Sequence, residues 1–86
     1  MATIGDIRTG LATATSEAER ALMQLSAAAI LVDKAIATLE ALSAGTRQPA
    51  CRGAIGKLTG ARNRFDQGAE RVKAAIDQLR RYDAAL

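Results

Sequence analysis

The chain is predicted to be all-α, a two-helix antiparallel hairpin that dimerises into a four-helix bundle. Three observations predict it. Apolar residues recur at alternating steps of three and four from Ile4 to Leu42, the same stepping resumes from Cys51 to Leu86, and the one proline, Pro49, stands between the two runs. Alanine, the best intrinsic helix former, is the commonest residue. At 86 residues the chain forms a single domain, 1–86, too short to enclose a large active site.

The first helix is expected over about residues 4–42. Its seam is read as Ile4, Ile7, Leu11, Ala14, Ala18, Ala21, Leu25, Ala28, Val32, Ala35, Leu39 and Leu42, all apolar, with Leu22, Ala29 and Ile36 beside the seam and widening it. Thr3 and Asp6 are placed to cap the start, while Gly5 and Gly10 weaken the first two turns. Ser16 and Glu19 form a second capping box and a second candidate start, so a fray or kink is expected before Ser16.

The turn is expected at about 43–48. Gly45 suits the left-handed residue that ends many helices, and Pro49 suits the first position of the next. The second helix, about 49–82, carries Leu58, Phe65, Val72 and Leu79 in one seam row and Ala54, Ala61, Gly68 and Ala75 in the other, with Ile55, Ala69 and Ile76 alongside. Large faces small, which lets a neighbouring helix approach closely. Gly53, Gly56 and Gly60 each cost about 1 kcal/mol relative to alanine, so residues 52–60 are expected to be the softest part. Two such helices, about 58 and 51 Å long at ~1.5 Å per residue and joined by a short loop, must turn back on each other.

The stretch "LSAAAILV", residues 25–32, is apolar nearly all the way round. One partner helix covers one stripe, which leaves a second made of Met23, Ala27, Ile30, Leu31 and Ala37, and a contiguous exposed apolar patch usually marks a contact. These residues are therefore the expected oligomer interface, of a homodimer or of a heterodimer with a related helical protein. The plainer alternative is that alanines and an isoleucine or two on a helix surface need no cover. Membrane insertion is less supported, because no uninterrupted apolar run reaches the roughly 18 to 20 residues of a span and the polar face lacks flanking lysine and arginine.

The chain has no histidine, one cysteine and, as aromatics, Phe65 and Tyr82 alone. Bases, nucleophile pairs and metal ligands are thus scarce, and an enzyme, a cofactor and a metal site are not expected. The amino terminus shows no signal-peptide pattern, which leads to a cytoplasmic expectation. Cys51 falls on the seam as a small hydrophobe, with an intermolecular disulfide near the loop as the alternative. "GKLTG" lacks the spacing and preceding strand of a phosphate loop, and Gly56 with Gly60 lies outside any apolar span that would give a GxxxG meaning.

Residues 1–43 carry three basic and five acidic side chains, a balance of −2, and residues 44–86 carry nine and four, a balance of +5. Arg47, Arg52, Lys57, Arg62, Arg64 and Arg71 make a basic edge, with Lys57, Arg64 and Arg71 seven residues apart. Such an edge serves either as a footprint for nucleic acid or an acidic partner, or as one side of inter-helix pairing with Glu17, Glu19, Asp33 and Glu40.

In shape, two long antiparallel helices around "SAGT", the chain resembles the W-x-G family of small helical hairpins linked to type VII secretion. Gly45 matches the family glycine, Ser43 stands where its tryptophan belongs, and Leu86 stands four residues after Tyr82 where its export signal has an acid. The Ala-, Arg- and Gly-rich composition also suits an uncharacterised bacterial hairpin family of a high-GC actinobacterium. The resemblance implies a dimeric, partner-binding hairpin. The expected function is accordingly a non-enzymatic interaction or scaffold module, the alternative a small basic nucleic-acid-binding protein.

Overall fold

A computed structural model describes residues 1–45 and 49–86. Helix α1 spans Ile4–Gly45 and helix α2 spans Pro49–Ala85, and the two pack along their length as an antiparallel hairpin 64 Å long, 19 Å wide and 14 Å thick. The chain is all-α among the described residues, as its spacing predicts. The Cα radius of gyration is 19.3 Å, against about 12 Å for a compact 86-residue domain.

The start of α1 is a reciprocal cap. The Asp6 amide donates to Thr3 Oγ1 at 3.1 Å, and the Thr3 amide donates to Asp6 Oδ2 at 3.1 Å. Two amide donors that the helix leaves without carbonyls are thereby satisfied, and the Ile7 amide bonds the Thr3 carbonyl at 3.0 Å. Because this cap holds, α1 runs without a break through Gly10 and Ser16, and the expected second start is not used. Ser16 and Glu19 lie inside an established helix, where no nucleus is needed.

The end of α1 also departs from expectation. Ser43, Ala44 and Gly45 are helical, three residues beyond the expected limit, and no described glycine has a positive φ, so Gly45 is not a left-handed stop. The rest of the expected turn, Thr46, Arg47 and Gln48, lies outside the described residues. Pro49 opens α2, where its missing N–H costs nothing and its fixed φ suits the first turn.

The seam is rotated from the one that apolar spacing alone selects. On α1 the covered residues are Ile7, Leu11, Thr15, Ala18, Leu22, Leu25, Ala28, Ala29, Val32, Ile36, Leu39 and Ser43, while Ile4, Ala14, Ala21, Ala35 and Leu42 are exposed. On α2 they are Cys51, Ile55, Leu58, Arg62, Phe65, Ala69, Val72, Ile76 and Leu79, with Ala54, Ala61 and Gly68 at the margin and Ala75 and Tyr82 exposed. One expected row is retained in each helix. The other is largely displaced by its neighbour one residue on, with Ile7, Ala28, Ala54, Ala61 and Gly68 still partly covered, which turns each apolar stripe by up to roughly 50° about its axis. The cause is volume: Leu22, Ile36, Ile55 and Ile76 bury far more apolar surface than Ala21, Ala35, Ala54 and Ala75 would in the same place. Among the described residues only Ala29 and Ile76 are buried, at 6% and 5% exposure.

Candidate interaction surfaces

With the seam so placed, the hairpin has two unlike long edges. One combines Glu19, Ser26, Asp33 and Glu40 of α1 with Arg52, Thr59, Asp66, Lys73 and Arg80 of α2. Here Arg62 Nε donates to Asp33 Oδ1 at 3.0 Å and to Oδ2 at 3.2 Å, Arg62 Nη1 donates to Asp66 Oδ1, and Arg80 Nη2 donates to Glu19 Oε1 at 2.7 Å. Hydrogen bonds to Asp66 and then Asp33 push the Arg62 guanidinium further above its already high ordinary value. These two inter-helix pairs do what edge charges do in bundles, fixing antiparallel register and orientation. Both lie at the solvent-facing edge of the seam, where screening leaves them little weight in stability.

Among the described residues the other long edge has no charge. It combines Ala14, Ala21, Ala28, Ala35 and Leu42 with Ala54, Ala61, Gly68, Ala75 and Tyr82. A Cβ built on Gly68 lies 3.8 Å from Leu25 Cδ1, so α1 crosses close to the α2 backbone here. Every position in both rows is apolar or glycine.

The expected interface residues divide between these edges. Met23, Ala27, Ile30, Leu31 and Ala37 are all exposed, with Met23 at 72%, Ile30 at 54% and Leu31 at 64%. Met23 and Ile30 overhang a groove of about 560 Å³ on the charged edge, whose far wall is Arg62, Asp66, Glu70 and Lys73 and whose floor includes Leu22, Ala29 and Phe65. Leu31 lies on the opposite side of α1, between Ala28 and Ala35 of the uncharged edge. Ala27 points away from both. The five residues together cover the outward side of α1, from the groove of the charged edge round to the border of the uncharged one.

Of the basic edge, Arg47 lies outside the described residues. Arg62 is half-buried and engaged by two carboxylates. Arg52, Lys57, Arg64 and Arg71 are exposed and make no ion pair among the described residues. Cys51 is a half-buried free thiol on the seam, and Ser43, also on the seam, has a buried hydroxyl with no hydrogen-bond partner. Among the described residues no three His, Cys, Asp or Glu side chains cluster in a way that would hold a metal.

The longest apolar stretch of α1 contains an 18-residue window with a mean hydropathy of 1.5 and no more than two charged residues, by length and composition enough to cross a membrane. Asp33 and Lys34 interrupt its apolar run, so the apolar residues do not form one unbroken stretch of that length. Almost none of the window is buried in the hairpin. No protein-family model, curated protein or solved structure matches the chain.

Proposed function

We propose that this chain is a non-enzymatic protein-interaction module that self-associates, or pairs with a related helical protein, to complete a four-helix bundle. The observation that carries the reading is surface area. A compact monomer of 9.0 kDa exposes about 4,900 Å², whereas this chain exposes 6481 Å². The excess of about 1,600 Å² includes Met23, Ile30, Leu31, Leu42 and Tyr82, each roughly half exposed or more. A hairpin with two buried residues among those described has little core of its own, and covering one face with another hairpin would supply the missing burial. The shape-level resemblance to W-x-G hairpins supports the same reading. The test is absolute mass by sedimentation or light scattering over a wide concentration range, with helicity followed alongside. A stable helical dimer is the expected result, and a helical monomer up to millimolar concentration would overturn self-association and send the search to a different protein partner.

A second reading is favoured by one observation: Arg52, Lys57, Arg64 and Arg71 have no acidic partner among the described residues. Lys57, Arg64 and Arg71 form a row of exposed cations on α2, with Arg52 on the other edge, and such a row provides the sequence-independent contacts that nucleic-acid backbones accept. Neutralising the four to glutamine is expected, on this reading, to remove binding to duplex DNA or RNA and to flatten its salt dependence by about 0.9 per lost phosphate contact. Unchanged binding by that variant removes the second reading.

A further inference from the structure

We propose that the uncharged long edge, and not the outer Met23 to Ala37 stripe of α1, is the surface on which a second copy of this chain docks. The proposal rests on the self-association reading above and names its interface. A bundle helix needs an apolar face wider than its hairpin seam, a third row beside the first two. The rotated seam decides which row that is. On one side of the seam both helices present carboxylates, cations and hydroxyls, with Asp33 and Glu19 already engaged by Arg62 and Arg80, and on the other both present an uncharged row. The third row is therefore supplied by both helices on the same side of the hairpin.

Area separates this edge from the outer stripe. The outer stripe is confined to α1 and interrupted by Arg20 and Lys34, about 20 Å apart at ~1.5 Å per residue. The uncharged rows run from Ala14 to Leu42 on α1, about 40 Å, and from Ala54 to Tyr82 on α2. They form part of a face 64 Å long and 19 Å wide, about 1,200 Å² in projection, where a stable dimer needs about 800 Å² from each partner. The excess exposed area of the chain is of the same order. Small side chains along the middle permit close backbone approach, and Leu42 and Tyr82, 57% and 49% exposed, cap the two ends of the face with bulk.

Charge indicates why a second copy fits and how it lies. Lys57, Arg64 and Arg71 border the face on α2, while Glu17, Gln24, Leu31 and Thr38 border it on α1. A two-fold axis parallel to the helices sets α1 of each copy over α2 of the other, so that each basic row meets the other copy's weakly acidic, partly apolar row. A two-fold axis across the helices would set the two basic rows side by side, which like charges oppose.

The test compares glutamate variants at positions where a charge costs the isolated hairpin nothing. Ala35 and Ala75 are exposed within one chain, and glutamate is a good helix former. Ala35→Glu and Ala75→Glu are each expected to raise the dimer dissociation constant at least about 100-fold, because each places an unpaired charge inside the interface. Ile30→Glu is expected to leave it within a few-fold. Dissociation by Ile30→Glu with retention by Ala35→Glu and Ala75→Glu would overturn this face while leaving self-association standing. A wild-type monomer at all concentrations would overturn the self-association reading itself. Should the glutamate variants lose helicity, single cysteines at Ala35 or Ile30 in a Cys51→Ala background decide the matter by thiol reaction rate. The expected result is a roughly tenfold slowing at position 35 as concentration rises through the dissociation constant, and none at position 30. The reverse pattern would refute the assignment.

Discussion

Single residues carry two separable jobs here, starting a helix and filling a seam. The Thr3 and Asp6 cap lets α1 begin at Ile4 despite Gly5 and Gly10. Thr3→Ala is expected to cost about 1 kcal/mol and to release the first turns, read as faster amide exchange up to about Thr13 with the rest unchanged. At the seam, Ile76 is 5% exposed, and Ile76→Ala is expected to destabilise by about 2 to 4 kcal/mol in a denaturant titration. Ala75→Ser, one residue away, is expected to do so by less than about 0.5 kcal/mol. That contrast also marks what was legible in the sequence. Period and helix type were readable because Ala, Leu and Ile all count as apolar. Which of two adjacent rows enters the seam was not, because alanine and isoleucine weigh the same in such a pattern and only the volume competition between Ala75 and Ile76, or Ala35 and Ile36, separates them. Ser43 shows the opposite limit. Its burial without a hydrogen bond depends on the seam rotation, and Ser43→Ala is expected to raise stability by up to about 1 kcal/mol, since it removes an unsatisfied buried hydroxyl.

At the level of elements, α1 and α2 differ in how they are held. Helix α1 is continuous over 42 residues, and its threonines at 9, 13 and 38 fold their hydroxyls back onto carbonyls four residues earlier. Helix α2 spends its first three turns on Gly53, Gly56 and Gly60, where an added Cβ would meet nothing within 4 Å. Replacing the three by alanine is expected to add about 2 to 3 kcal/mol and to slow exchange in residues 52–60, with no change in assembly. Loss of helicity would show that these positions face something the hairpin alone does not contain. The two helices and Pro49 as the opening residue of α2 were readable from spacing and turn chemistry. The second capping box at Ser16 misled, because a local motif signals a start only when no earlier cap has nucleated the helix, and Gly45 misled because a glycine near a helix end is permitted, not required, to turn left-handed.

For the whole molecule, shape decides more than any site. A rod 64 Å long with an exposed surface well above that of a compact domain of its mass has few contacts per residue from within. The inter-helix pairs of Arg62 with Asp33 and Arg80 with Glu19 orient the helices without supplying much stability. Arg80→Ala is expected to cost under about 1 kcal/mol, and moderate salt to abolish even that difference. The hairpin was legible as a whole; the sidedness of its two edges was not, because it follows from the seam rotation that volume imposes.

The division of charge between the helices has one further physical result. Among the described residues α1 holds three basic and five acidic side chains and α2 holds eight and four, so charges of −2 and +4 lie side by side along the rod. A single hairpin is therefore a transverse electric dipole, which turns its α2 side toward an anionic surface and its α1 side toward a cationic one. Two hairpins joined with α1 over α2 place these dipoles side by side and antiparallel, and the moments cancel. Monomer and dimer should then differ in dielectric relaxation by far more than they differ in size, and the dimer would move through a charged environment as a rod of net charge with no preferred side.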